Sequence, residues 1–144
     1  LLASSAASDV YKRQEMEDEL IRFACSIRDE MNSAQTNSGM QVIDKVKDYV
    51  MRNYKNPEIS LTSAAEFASV STGYLSGLFK KEAGTNFVKY LTDVRMEKSM
   101  QLLRSTDMKT YEIAYETGFS NPHYFSVSFK KYTGMSPSEF RAKE

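Results

Sequence analysis

Tryptophan is absent, and cysteine and histidine occur once each, at Cys25 and His123. A single cysteine excludes an internal disulfide and agrees with a reducing cytoplasm, the localisation expected here. One cysteine and one histidine also leave no basis for a metal site, and nothing in the chain implies a cofactor. There are only three prolines and six glycines, so helix breakers are scarce and each can be read as punctuation. No apolar run approaches the ~20 residues of a membrane span, and no leader with a cleavage site is visible, so a membrane partner is not expected. Catalysis would need paired carboxylates in a cleft, a nucleophile with its base, or a phosphate-cradling loop. The lone histidine and scattered glycines supply none of these, so an enzyme is not expected.

Net charge is also lacking: 19 Lys and Arg balance 19 Asp and Glu. The balance is uneven along the chain. Residues 1–39 hold 4 basic and 7 acidic side chains, whereas residues 40–144 hold 15 and 12. The larger part is mildly basic, which suits a polyanionic partner bound with modest, salt-sensitive affinity.

What the chain does have is helical periodicity and strong boundaries. Over 111–141, three helices are separated by Gly118, by Asn121-Pro122 and by Ser136-Pro137. Gly118 can take the left-handed conformation that closes a helix. Asn121 and Ser136 can cap the turns that follow, with proline at the first helical position, where a missing N–H costs nothing. Two short helices joined by a tight turn form the helix-turn-helix pattern, whose second helix enters a DNA major groove.

The same pattern occurs upstream. Tyr74-Leu75-Ser76, Phe79-Lys80-Lys81 and Gly84 recur 50 residues later as Tyr124-Phe125-Ser126, Phe129-Lys130-Lys131 and Gly134. Further back the offset is 49, pairing Ala65 with Ala114 and Val70 with Phe119, so the second turn is one residue longer. Two copies of one supersecondary unit are expected.

These residues carry a specific likeness. Ile113-Ala114, Gly118-Phe119, Tyr124-Phe125, Phe129-Lys130-Lys131, Gly134 and Ser136-Pro137 through Phe140-Arg141 together resemble the signature of the AraC/XylS-type transcriptional regulators, over roughly residues 41–141. The resemblance implies an all-α fold of about seven helices, with two helix-turn-helix subdomains joined by one long helix. It also implies double-stranded DNA as partner, with possible contact to RNA polymerase and dimerisation through a missing N-terminal sensor or receiver domain.

Taken in order, 1–14 looks like a translated transposon end of the kind used in sequencing libraries, with a natural disordered tail as the alternative. On the first reading the natural chain continues upstream. Residues 15–31 form an amphipathic connector helix, beside whose apolar stripe Cys25 is expected to be a small buried thiol, with a redox sensor as the alternative, and 32–39 form a flexible linker. In 40–144, a core helix spans 41–54, and the residue before Pro57 is pushed out of the helical region. The first helix-turn-helix covers about 61–84, with its recognition helix at 72–82 capped by Ser71. The linker helix covers 86–104 and carries Val88, Leu91, Val94, Met96, Met100 and Leu103 as apolar positions. The second helix-turn-helix covers about 110–133, and a last helix spans 137–141.

By the resemblance, bases are read by Gly73, Ser76 and Gly77 in the first recognition helix and by His123, Tyr124, Ser126 and Val127 in the second. Phosphates fall to Ser71, Tyr74, Lys80, Lys81, Asn121, Lys130 and Lys131. Bland alternatives stand beside these roles: a solvated helix face for the lysine pairs, core packing for the two tyrosines, and a polar helix-start residue for His123. Many relatives carry Arg where this chain has Gly77 and Val127, so the commonest guanine contact is missing. Readout is then expected to rest on the two serine hydroxyls, His123 and apolar contact from Val127 to thymine methyls. A helical protein-interaction module without DNA binding is the competing reading.

Overall fold

In the computed structural model, residues 2–143 are described, and they form seven α-helices with no strand among them. They are α1 (Leu2–Asn53), α2 (Leu61–Ala68), α3 (Thr72–Ala83), α4 (Phe87–Ser105), α5 (Thr110–Glu116), α6 (Pro122–Thr133) and α7 (Pro137–Ala142). The chain divides into two compact units, Leu1–Met40 and Gln41–Glu144.

The first unit is helical throughout its described residues, which differs from the linker expected at 32–39 and from the disordered tail given as the alternative reading of 1–14. The reason is composition: no proline lies before Pro57 and no glycine before Gly39, while Ala, Glu, Met, Gln, Lys and Arg favour the helix. The polar run that looks like a linker turns its hydroxyls inward along the backbone: Ser33 Oγ donates to the Glu30 carbonyl at 2.9 Å and Thr36 Oγ1 to that of Asn32 at 2.8 Å. Met16, Leu20, Phe23, Ile27 and Met31 are exposed. Cys25 is half-exposed, not buried as expected.

The second unit contains two cores threaded on one helix. The first buries Ile43, Val46 and Val50 of α1, Ala64, Ala65 and Ala68 of α2, Leu75 and Phe79 of α3, and Phe87, Leu91 and Val94 of α4. The alanines of α2 let α3 approach closely. The second buries Met96 and Leu103 of α4 with Ile113, Ala114, Phe119, Phe125, Phe129 and Phe140. Its aromatic rings run in series, Phe119 to Phe125 at 5.2 Å, Phe125 to Phe129 at 5.7 Å and Phe129 to Phe140 at 5.5 Å. Each fully buried ring contributes about 1.5–3 kcal/mol through removal from water. The apolar positions of α4 therefore serve both subdomains, changing allegiance between Val94 and Met96. Val88, expected inward, is exposed, because Phe87 beside it takes the core-facing place.

The ends of the helices follow the local chemistry. Ser60, Ser71, Asn86, Asn121 and Ser136 all cap through their side chains. Gly84, Gly118 and Gly134 take positive φ. Ser69 does so as well, at 59°, 49 positions before Gly118, so the first turn sets a serine where the second sets a glycine.

Candidate nucleic-acid interface

Inward anchors leave a matched stripe on each recognition helix. Leu75 and Phe79 hold α3 to its core; Phe125 and Phe129 hold α6 to the other. Gly73, Ser76, Gly77 and Lys80 follow the i, i+3, i+4, i+7 spacing that lines one helical face, and all four are exposed. Their counterparts 50 residues on are His123, Ser126, Val127 and Lys130; three are exposed and Ser126 is half-buried. Lys81 and Lys131 flank the stripes and are exposed. Each recognition helix has a basic last turn.

The side chains differ in what they have left to offer. Nothing lies within 4 Å of where a Cβ would stand on Gly73 or Gly77, so α3 offers a smooth backbone surface there. Ser76 has no partner among the described residues. Ser126 Oγ donates to the Pro122 carbonyl at 3.1 Å, so its proton is committed and its lone pairs are what remain. Val127 is 55 % exposed. Core packing for the tyrosines is set aside by their exposure, 45 % for Tyr74 and 63 % for Tyr124, the latter ring lying 6.3 Å from that of Phe119. Lys81 is paired with Glu82 at 3.4 Å, an exposed contact of small worth.

The helix starts are less alike than the repeat suggests. Asn121 Oδ1 accepts from the N–H groups of His123 and Tyr124, at 2.9 and 3.2 Å, Pro122 has no N–H, and Phe125 N–H donates to the Asn121 carbonyl. No first-turn N–H of α6 is left for a phosphate. In α3, Ser71 Oγ accepts only from Tyr74 N–H at 3.2 Å. The N–H groups of Thr72 and Gly73 remain without an acceptor among the described residues, and they point from the positive end of the helix.

Two features were not read from the sequence. Tyr111 and Tyr115 are exposed on α5, spaced four apart on one face. Arg95 lies near the middle of α4, half-buried, and its guanidinium is shifted below its ordinary pKa by desolvation. No local signal marks Arg95: like exposed Lys80 and Lys130 it has no carboxylate three or four residues away, and its acceptors lie 41 and 39 residues earlier in the chain.

Comparison with known proteins then decides the family. The family described as "Helix-turn-helix domain" matches residues 64–143. The C-terminal domain of AraT, a response regulator from Geobacillus stearothermophilus, superposes with a TM-score of 0.70 at 39% identity, covering 72% of this chain and 85% of that one. A Chromobacterium violaceum regulator described as having an AraC-type DNA-binding domain superposes at 0.67 with 27% identity, covering 72% and 92%. The chain belongs to the AraC-type helix-turn-helix family.

Among curated relatives, the Bacillus subtilis transcriptional regulatory protein YesN is 42% identical over 120 residues, 81% of this chain and 33% of YesN. The chain spans about a third of the length of the curated relatives it matches. The AraC-type architecture of two helix-turn-helix units on a shared helix is the one described above. No helix of the described residues is long and apolar enough to cross a membrane, and none of their His, Cys, Asp and Glu side chains form a group able to hold a metal.

Proposed function

We propose that residues 41–143 are the DNA-reading part of a transcriptional regulator, with α3 and α6 entering successive major-groove turns on one side of the duplex. The observation that carries this reading is the pair of equivalent exposed stripes on α3 and α6, two helices whose cores are built on the two halves of one 19-residue helix, α4. At 1.5 Å per residue that helix is about 28 Å long, close to the ~34 Å repeat of B-DNA. Lys80, Lys81, Lys130 and Lys131 serve phosphates, joined by Thr72 and Gly73 N–H at the start of α3. Bases are met by Ser76, His123, Ser126 as an acceptor, and Val127, a set without a guanidinium and therefore tolerant of A·T pairs. Tyr74 and Tyr124 stand beside the stripes with their hydroxyls available to the backbone of the nucleic acid.

A mobility-shift titration on random-sequence duplex tests the reading. With about four phosphates engaged, log K falls against log salt with a slope of roughly −4, and removing two of the lysines in K80A/K130A reduces that slope by about 2. Absence of any shift at low salt, or a shift insensitive to salt, would instead favour a protein-interaction module.

A further inference from the structure

We infer that Arg95 is a positioning residue that locks the phase between the two recognition helices, so that the protein accepts a single spacing between the halves of its site. The inference rests on the DNA reading proposed above. The two cores share α4 and little else, and two bodies joined by one rod can swivel as each repacks on its own half. A strut off the rod's axis prevents this, and Arg95 supplies one at the point where the cores change over.

Its Nε donates to the Tyr54 carbonyl at 2.9 Å and a terminal nitrogen donates to that of Asn56 at 2.8 Å, both in the loop between α1 and α2. The same guanidinium lies 5.6 Å from the centre of the Phe119 ring, in the turn between α5 and α6. Both sides of the joint are therefore held by one planar group, hydrogen-bonding at its edge toward the first subdomain and meeting a ring of the second.

Neighbouring contacts share the load. Gly118 packs so closely that an added Cβ would stand 2.2 Å from the Tyr54 carbonyl oxygen. Lys55 pairs with Glu116 across the same gap. One turn along α4, buried Ser99 Oγ lies 3.1 Å from Thr117 Oγ1. The turn held in this way leads directly into Asn121 and the start of α6, so its attitude sets where the second stripe points. One base pair is about 34° of rotation and 3.4 Å of rise, and a contact held by hydrogen bonds with tolerances of a few tenths of an ångström can resolve that step.

The test uses the whole chain. A two-part site is selected from a random duplex pool, and affinity is then measured on versions with one or two base pairs inserted or removed between the halves. Wild type is expected to lose about tenfold or more for a one-base-pair change. Arg95→Met is expected to bind the best spacing less tightly yet to vary by less than about threefold across the neighbouring spacings. Arg95→Lys, which keeps the charge but cannot span two carbonyls with one planar group, is expected to broaden the profile in the same direction and covers the case in which the Met variant unfolds. A role limited to stability would lower binding to every spacing by one factor. Variant profiles with the wild-type shape would overturn the clamp while leaving the two-helix reading intact, and a wild type indifferent to spacing would overturn both.

Discussion

Replacing Gly118 by alanine puts the packing of the joint to a direct thermodynamic test. The residue has φ of 88°, and the new Cβ would meet the Tyr54 carbonyl oxygen at 2.2 Å and the Arg95 guanidinium at 2.8 and 2.9 Å. The left-handed conformation costs an alanine about 1–2 kcal/mol. Forcing a methyl into occupied space adds about 1–3 kcal/mol, because a backbone carbonyl cannot swing aside as a side-chain tip can. Gly134 is the internal control. Its φ of 82° imposes the same conformational cost, but no atom lies within 4 Å of its Cβ position. Gly134→Ala should therefore cost about 1–2 kcal/mol and Gly118→Ala about 2–5 kcal/mol, a large part of the ~5–15 kcal/mol that holds a typical domain together. The entropy that alanine removes from the unfolded chain is common to both variants and cancels in the difference. Urea unfolding followed by circular dichroism measures both. Equal losses, within about 0.5 kcal/mol of each other, would refute the packing of Tyr54 against the turn.

Other expected outcomes follow from single positions. Gly77 lies exposed within α3 with open space at its Cβ position, so Gly77→Ala should raise stability by about 0.5–1 kcal/mol through helix propensity, read by thermal unfolding. Val127→Arg places a guanidinium on the exposed stripe of α6 and should improve binding to selected guanine-containing sites by about 1–3 kcal/mol, read by competition titration. Glu139 Oε2 accepts from the Ser136 N–H at 2.7 Å, and that hydrogen bond holds its carboxyl below the usual range. A depressed folded-state pKa stabilises above the unfolded pKa and the effect is lost as pH falls through the folded value. Glu139→Gln should therefore flatten stability against pH on the acid side, below the ordinary glutamate range, and leave the slope near neutrality unchanged.

Much of the architecture was legible in the residues because the signals are local. Ser71, Asn121 and Ser136 cap, Gly84, Gly118 and Gly134 close, and the Phe79–Phe129 and Lys80–Lys130 correspondences reveal the duplicated unit. Each depends on neighbours a few positions away, so helix limits after Pro57 could be read closely. The region before it differs for the complementary reason: Ser, Asn and Thr at 32–37 look like linker residues, yet with no helix breaker among them the helix continues, and the Ser33 and Thr36 hydroxyls donate back to carbonyls of its preceding turn. The outward stripes also followed from periodicity, since locating the inward Leu75, Phe79, Phe125 and Phe129 locates the opposite face.

Periodicity alone could not reveal how spent each polar group already is. Ser126 gives its proton to Pro122, and Asn121 uses up the first-turn N–H groups of α6, whereas α3 keeps two. Nor could it reveal Arg95, whose partners at Tyr54 and Asn56 lie 41 and 39 residues away. By itself the sequence determined two like modules on a common helix, because capping, turning and amphipathicity are settled within a few residues. Only the tertiary structure decided how those modules are held to each other, because that depends on a hydrogen-bonding fork and a close backbone contact between segments distant along the chain.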